Sequence, residues 1–230
     1  MVIDNIILMH AELEMELIYF FIIIACSLII YFSTREIYQL TYHKGIKYFR
    51  MSFLFFAIAY FLRFAIKFLS ISFNLPIIRE FNPKFLGMFS LLAFMYASTM
   101  AIFYLYSSIR WEKFNKNPAR IYLLHFLAII ISIISILINN ITLLLIIQVL
   151  LFSFIVIFNY ILYKRSKKDP KNKGNIKQLH FIYVLLFIFW ILNLIDIILP
   201  NFLEVVRAFI YLISTALFLI ILYKVIKKLG

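Results

Sequence analysis

Seven apolar segments, separated by short polar gaps, follow one another along this 230-residue chain: Leu17–Ser33, Phe49–Ile71, Phe85–Ser107, Ile121–Ile138, Ile141–Tyr163, Leu179–Leu199 and Phe202–Tyr223. A bilayer core needs about 20 consecutive apolar residues per helix, with a usable range of about 17–25. The pattern predicts an all-α integral membrane protein, a bundle of seven transmembrane helices forming one membrane domain over residues 1–230. No gap is longer than Lys164 to Gln178, which leaves no room for a second domain.

The polar gaps orient the thread. Eighteen of the 23 Lys and Arg residues fall in alternate gaps. Arg35, Lys44 and Lys47 lie between the first two segments, with Arg50 at the edge of the second, and Arg110, Lys113, Lys116 and Arg120 between the third and fourth. Lys164, Arg165, Lys167, Lys168, Lys171, Lys173 and Lys177 lie between the fifth and sixth, and Lys224, Lys227 and Lys228 end the chain. Cytoplasmic loops carry this excess, which predicts an N-terminus outside and a cytoplasmic C-terminus. The first 34 residues hold no Lys or Arg but include Asp4, Glu12, Glu14 and Glu16. They lack the basic start of a signal peptide, so the first helix reads as an uncleaved, N-out anchor in the plasma membrane.

Composition agrees: 65% of residues are hydrophobic and the mean hydropathy is +1.01, which excludes an ordinary soluble domain. A net charge of +13 would point to nucleic acid in a soluble protein. Here topology accounts for it, so no nucleic-acid partner is expected. The lipid bilayer is the partner, and the basic segment 164–177 attracts anionic lipid. The single cysteine, Cys26, offers neither a disulfide nor a thiol metal site.

All five prolines lie in gaps, and the one glycine within a segment, Gly87, sits at the entry to the third, so no helix has a breaker in its interior. Transporters with unwound helices at mid-membrane show such interruptions, so unbroken helices are predicted. Pro83-Lys-Phe-Leu before the third segment echoes Pro200-Asn-Phe-Leu before the seventh, and Tyr106 and Arg110 echo Tyr223 and Lys227. This fits a parallel 3+1+3 duplication with the fourth helix as linker, or a compositional echo. Ala93, Ala97 and Ala101 form a small-residue face on the third helix, with Ala57 and Ala65 on the second and Ala128 and Ser132 on the fourth. Close packing in lipid depends on such faces, which makes the third helix the expected centre.

Ionisable groups inside the spans are costly and face the bundle interior. At 1.5 Å per residue, Arg63 lies ~12 Å and Lys67 ~6 Å below the outer end of the second helix, with Asp196 ~5 Å below that of the sixth. Arg207 enters the seventh helix by ~8 Å, one turn beyond Glu204, and Glu16 tops the first helix. Two readings stay open. In one, an outward-facing pocket binds a polar or anionic ligand, Asp196 pairing with Arg63 or Lys67. In the other, Arg63–Asp196 is a structural ion pair while Lys67, Glu16 and Arg207 reach for the interface. No metal site is formed by the four histidines, of which only His125 and His180 stand at one depth, and no cofactor is implied. A retinal-type pigment would want a lysine within the seventh helix, where none stands. No HExxH, GxSxG or phosphate-cradling loop is present, so no enzyme is predicted.

The N-out thread, the short loops, and Arg35-Glu-Ile-Tyr-Gln-Leu leading into Lys47-Tyr-Phe-Arg-Met-Ser-Phe-Leu-Phe-Phe-Ala resemble the seven-helix sensory domains of prokaryotic signalling proteins. The resemblance implies a receptor-like or scaffold role, and it transfers no functional residue. Those domains precede a kinase or other output module. This sequence ends at Gly230, so a separate protein partner, or a homo-oligomer, would carry the signal. The alternative is a small-solute transporter of 3+1+3 build.

Overall fold

The structure describes residues 2–72, 83–117, 119–138, 141–166, 173–198 and 204–227, with side chains at 14–66, 68, 88–117, 119–134, 137–138, 145–164, 179–196 and 206–227. In this computed structural model the described residues are helical apart from short corners at Tyr42–His43, Arg110 and Asn117, with no strand among them. The helices among the described residues are α1 (Val2–Thr41), α2 (Lys44–Ser72), α3 (Pro83–Ile109), α4 (Trp111–Lys116), α5 (Ala119–Ile138), α6 (Ile141–Ser166), α7 (Lys173–Ile198) and α8 (Glu204–Lys227). Among the described residues α1, α2, α3, α6, α7 and α8 are long and apolar enough to cross a membrane, while the described apolar stretch of α5, Ala119–Ile134, is shorter. The protein is a multi-pass integral membrane protein.

Two boundaries differ from the sequence pattern for physical reasons. The 40 residues of α1 extend well beyond the apolar core Leu17–Ser33. At 1.5 Å per residue α1 is ~60 Å long, about twice a bilayer core of ~30 Å. Ala, Glu, Leu and Met fill positions 11–17, and their high helix propensity carries the helix past the last apolar requirement. The second difference is α4, an extra turn-and-a-half inside a basic gap. Phe114 is buried while Glu112, Lys113, Asn115 and Lys116 are exposed, so one apolar anchor holds it down.

The chain divides into two compact units, residues 1–26 with 145–230 and residues 27–144. In the second unit α3 packs against both α2 and α5. Every residue from Ala97 to Leu105 is buried, and α3 is apolar on all sides, as expected of a helix that spans a membrane. Of the small-residue faces, Ala97, Ala101, Ala57, Ala128 and Ser132 are buried. Ser132 satisfies its hydroxyl on the Ala128 carbonyl at 2.7 Å, leaving a flat surface for close approach. The outer face of α5 is the reverse: Tyr122, Leu123, Phe126, Ile133 and Leu137 are all exposed. Such a surface is a liability in water and ordinary lipid contact in a bilayer.

In the first unit α7 packs against α8. Both bury residues at alternating three- and four-residue steps: Ile182, Leu186, Phe189, Asn193 and Asp196 on α7; Tyr211, Ser214, Phe218, Ile221 and Val225 on α8. That 3.5-residue repeat keeps one seam of each helix facing its partner. Phe189 meets Phe218 edge-on, ring centres 4.8 Å apart, in the middle of the seam.

Candidate polar site in the membrane

At one end the α7–α8 seam changes from apolar to polar. Asn193 and Asp196 continue the buried face of α7, and Arg207 precedes Tyr211 by one turn on α8. The Arg207 Nε stands 3.7 Å from Asp196 Oδ1, an ion pair with little water: the side chains are 18% and 5% exposed. Tyr211 points its hydroxyl at Asp196 Oδ2 over 3.5 Å, the long limit of a hydrogen bond. The first half of α1 supplies the third wall. Tyr19 donates to Asn193 Oδ1 at 2.8 Å, and Asn193 Nδ2 donates to the Phe189 carbonyl one turn back at 2.9 Å. Tyr19 also stacks on Tyr211, with centroids 4.8 Å apart and planes 15° from parallel. Glu16, one turn before Tyr19, is buried.

This set lies beside a groove of ≈ 680 Å³ between α1 and α8, whose walls include Ile18, Tyr19, Ile22, Phe209, Tyr211 and Leu219. Its volume is within the ordinary range for small-molecule sites, about 300–1,000 Å³. Tyr19 and Tyr211 belong to both features, lining the groove and directing a hydroxyl to the polar set.

The chain is 31% identical to an uncharacterized protein of the archaeon Archaeoglobus fulgidus over 216 residues, which covers 93% of this chain and 92% of the relative. It belongs to the family of that archaeal protein. No protein-family model matches the chain, and no solved structure matches it.

Of the six candidates read from the sequence, the structure joins Asp196 and Arg207 and buries Glu16 on the neighbouring helix. The sequence offers Arg63 or Lys67 as the cation for Asp196; within its own unit that cation is Arg207. Arg63 is half-buried on α2, in the other unit. The side chains of Lys67 and Glu204 lie outside the described residues, as does most of the basic segment 164–177. Three participants escape the sequence reading: Tyr19, Asn193 and Tyr211. Each stands three or four residues from a charged candidate, on the same helical face. That spacing was their signal.

Two of the histidines are engaged by tyrosines. His125 on α5 bridges two hydroxyls of α3, Tyr96 at 2.7 Å from Nδ1 and Tyr104 at 3.1 Å from Nε2. Those tyrosines are eight residues apart, two turns along one face, so one imidazole spans both. His180 instead stacks on Tyr163 at 5.3 Å. Among the described residues no three His, Cys, Asp or Glu side chains are grouped to hold a metal ion.

Proposed function

We propose that the protein is a receptor-like protein of the cell membrane, threaded seven times with its N-terminus outside, that binds a small ligand at the α1–α7–α8 polar set and passes the signal to a separate partner. The observation that carries this reading is the Asp196–Arg207 pair beside Tyr19–Asn193, polar groups placed where an apolar seam would pack as well. An ion pair taken out of water is poor stabilisation, because desolvation offsets most of its attraction. The adjoining groove gives a ligand room, and two of its walls, Tyr19 and Tyr211, connect it to the polar set through their hydroxyls.

Seven spans require α5 to cross the membrane, and its 20 residues reach ~30 Å, the thickness of a bilayer core. The alternating basic gaps support the orientation, and the segment 164–177 then meets anionic lipid on the cytoplasmic side. Resemblance to prokaryotic seven-helix sensory domains supports signalling. Helices α2, α3, α6, α7 and α8, which run without a break, support it against transport.

The deciding experiment pairs two measurements on protein in proteoliposomes. A panel of small polar and amphiphilic compounds is screened for thermal stabilisation, and uptake of labelled solutes is followed in parallel. Stabilisation by a compound, abolished in Asp196→Asn protein that still unfolds cooperatively, is the expected result. Saturable solute flux would overturn the receptor reading in favour of a 3+1+3 transporter.

A further inference from the structure

We propose that the basic end of residues 27–144 is a binding surface for the headgroups of anionic phospholipids. Two basic corners of the chain, α1 to α2 and α3 to α5, are joined there into one surface. The His43 ring packs on Trp111 with centroids 4.5 Å apart, and Lys44 Nζ donates to the Asn115 side-chain carbonyl. Tyr48 meets Phe114 edge-on at 6.1 Å, and Arg120 Nη1 donates to the Lys113 carbonyl at 3.2 Å. Gly45 lets α2 approach closely, since a Cβ there would stand 3.1 Å from the Ser108 carbonyl. The exposed cations Lys44, Lys47, Lys113, Lys116 and Arg120 are thus carried on packed elements and not on independent loops. Residues 43–50 and 110–122 contain one carboxylate, Glu112.

Depth identifies the partner. Two residues after Arg120, the exposed apolar face of α5 begins with Tyr122 and Leu123, which continues through Phe126 to Leu137. Leu40 and Tyr42 flank the other corner, both largely exposed. Cations bordered by lipid-facing apolar and aromatic side chains stand at headgroup level. A surface with this excess of positive charge at that level selects phosphatidylglycerol-type lipids over zwitterionic ones. The small helix α4, anchored by Phe114 and turning Lys113 and Lys116 outward, is the element that sets the spacing of the cations.

The test is native mass spectrometry of the full chain, released from detergent and titrated with phosphatidylglycerol or phosphatidylcholine. Phosphatidylglycerol adducts should persist at concentrations where phosphatidylcholine adducts are lost. Each neutralised cation should weaken retention roughly fivefold, so Lys113→Gln/Lys116→Gln/Arg120→Gln should lower it about 100-fold. Lys44→Gln/Lys47→Gln, on the other corner, should act in the same direction, while Lys113→Arg/Lys116→Arg should keep wild-type retention. Arg79→Gln/Lys84→Gln, outside both corners and outside the segment 164–177, serves as the control for removing positive charge elsewhere. Equal retention of the two lipids, equal loss in the control, or displacement of the lipid by millimolar inorganic phosphate would each overturn the proposal.

Discussion

The hydroxyl of Tyr19 on α1 donates to the side-chain carbonyl of Asn193 on α7 over 2.8 Å, across 174 positions of sequence, and both groups are buried. Interhelical hydrogen bonds inside membranes average about 0.6 kcal/mol and reach about 1.7. Tyr19→Phe should therefore cost about 1 kcal/mol, and Asn193→Leu more, since it also removes the bond to the Phe189 carbonyl. A double-mutant cycle on unfolding in mixed micelles should show positive coupling of about 0.5–1.5 kcal/mol. Strict additivity would mean that the bond does not bind α1 to α7.

Asp196 and Arg207 should behave as a unit. Removing one partner of a poorly solvated pair leaves the other charge uncompensated, at a cost of up to about 3–5 kcal/mol when fully buried. Arg207 keeps partial exposure, so Arg207→Gln should cost less than that, roughly 1–2 kcal/mol. Asp196→Asn combined with Arg207→Gln should be more stable than the less stable single variant. Thermal unfolding of the three proteins in the same detergent reads the order directly.

The Tyr96–His125–Tyr104 bridge ties α5 to α3 by two hydrogen bonds on one ring. His125→Phe keeps an aromatic ring but strands both hydroxyls, at about 1–3 kcal/mol. Adding Tyr96→Phe and Tyr104→Phe should restore part of that loss, because an unmade polar partner costs more than an absent one. Unchanged stability in His125→Phe would show that the hydroxyls find other partners.

Gly45 is a packing glycine. A Cβ at this position would stand 2.8 Å from the His43 ring, itself held on Trp111, and 3.1 Å from the Ser108 carbonyl. Gly45→Ala should destabilise by about 1–3 kcal/mol despite the better helix propensity of alanine. His43→Ala in the same chain should recover only the part due to the ring, since the Ser108 carbonyl is backbone and stays.

The helices were legible in the sequence because each apolar segment falls within the usable range for a bilayer span, and α5 and α6 begin or end within a few residues of the apolar pattern. The ends of α1 were not, because Glu12, Glu14 and Glu16 look like a polar tail while being good helix formers. Six residues of Trp-Glu-Lys-Phe-Asn-Lys carry too little pattern to separate α4 from a loop. At the polar site, Asp196 and Arg207 stood out as charges that lipid disfavours. Tyr19 and Tyr211 did not, being two of 15 tyrosines in a chain with 27 phenylalanines. Which cation meets Asp196 depends on helix rotation and neighbours, and hydropathy encodes neither.

The lone cysteine has a practical consequence. Cys26 is buried, so thiol reagents should pass it by and leave an almost label-silent background. Tyr122 and Ile138 stand near opposite ends of α5, 76% and 49% exposed. Cysteines placed singly at 122 and 138 become reporters for an impermeant maleimide added to intact cells. Reaction at 138 with protection at 122 reads out a helix that traverses the bilayer in the proposed sense; equal reaction at both places α5 on one side of it.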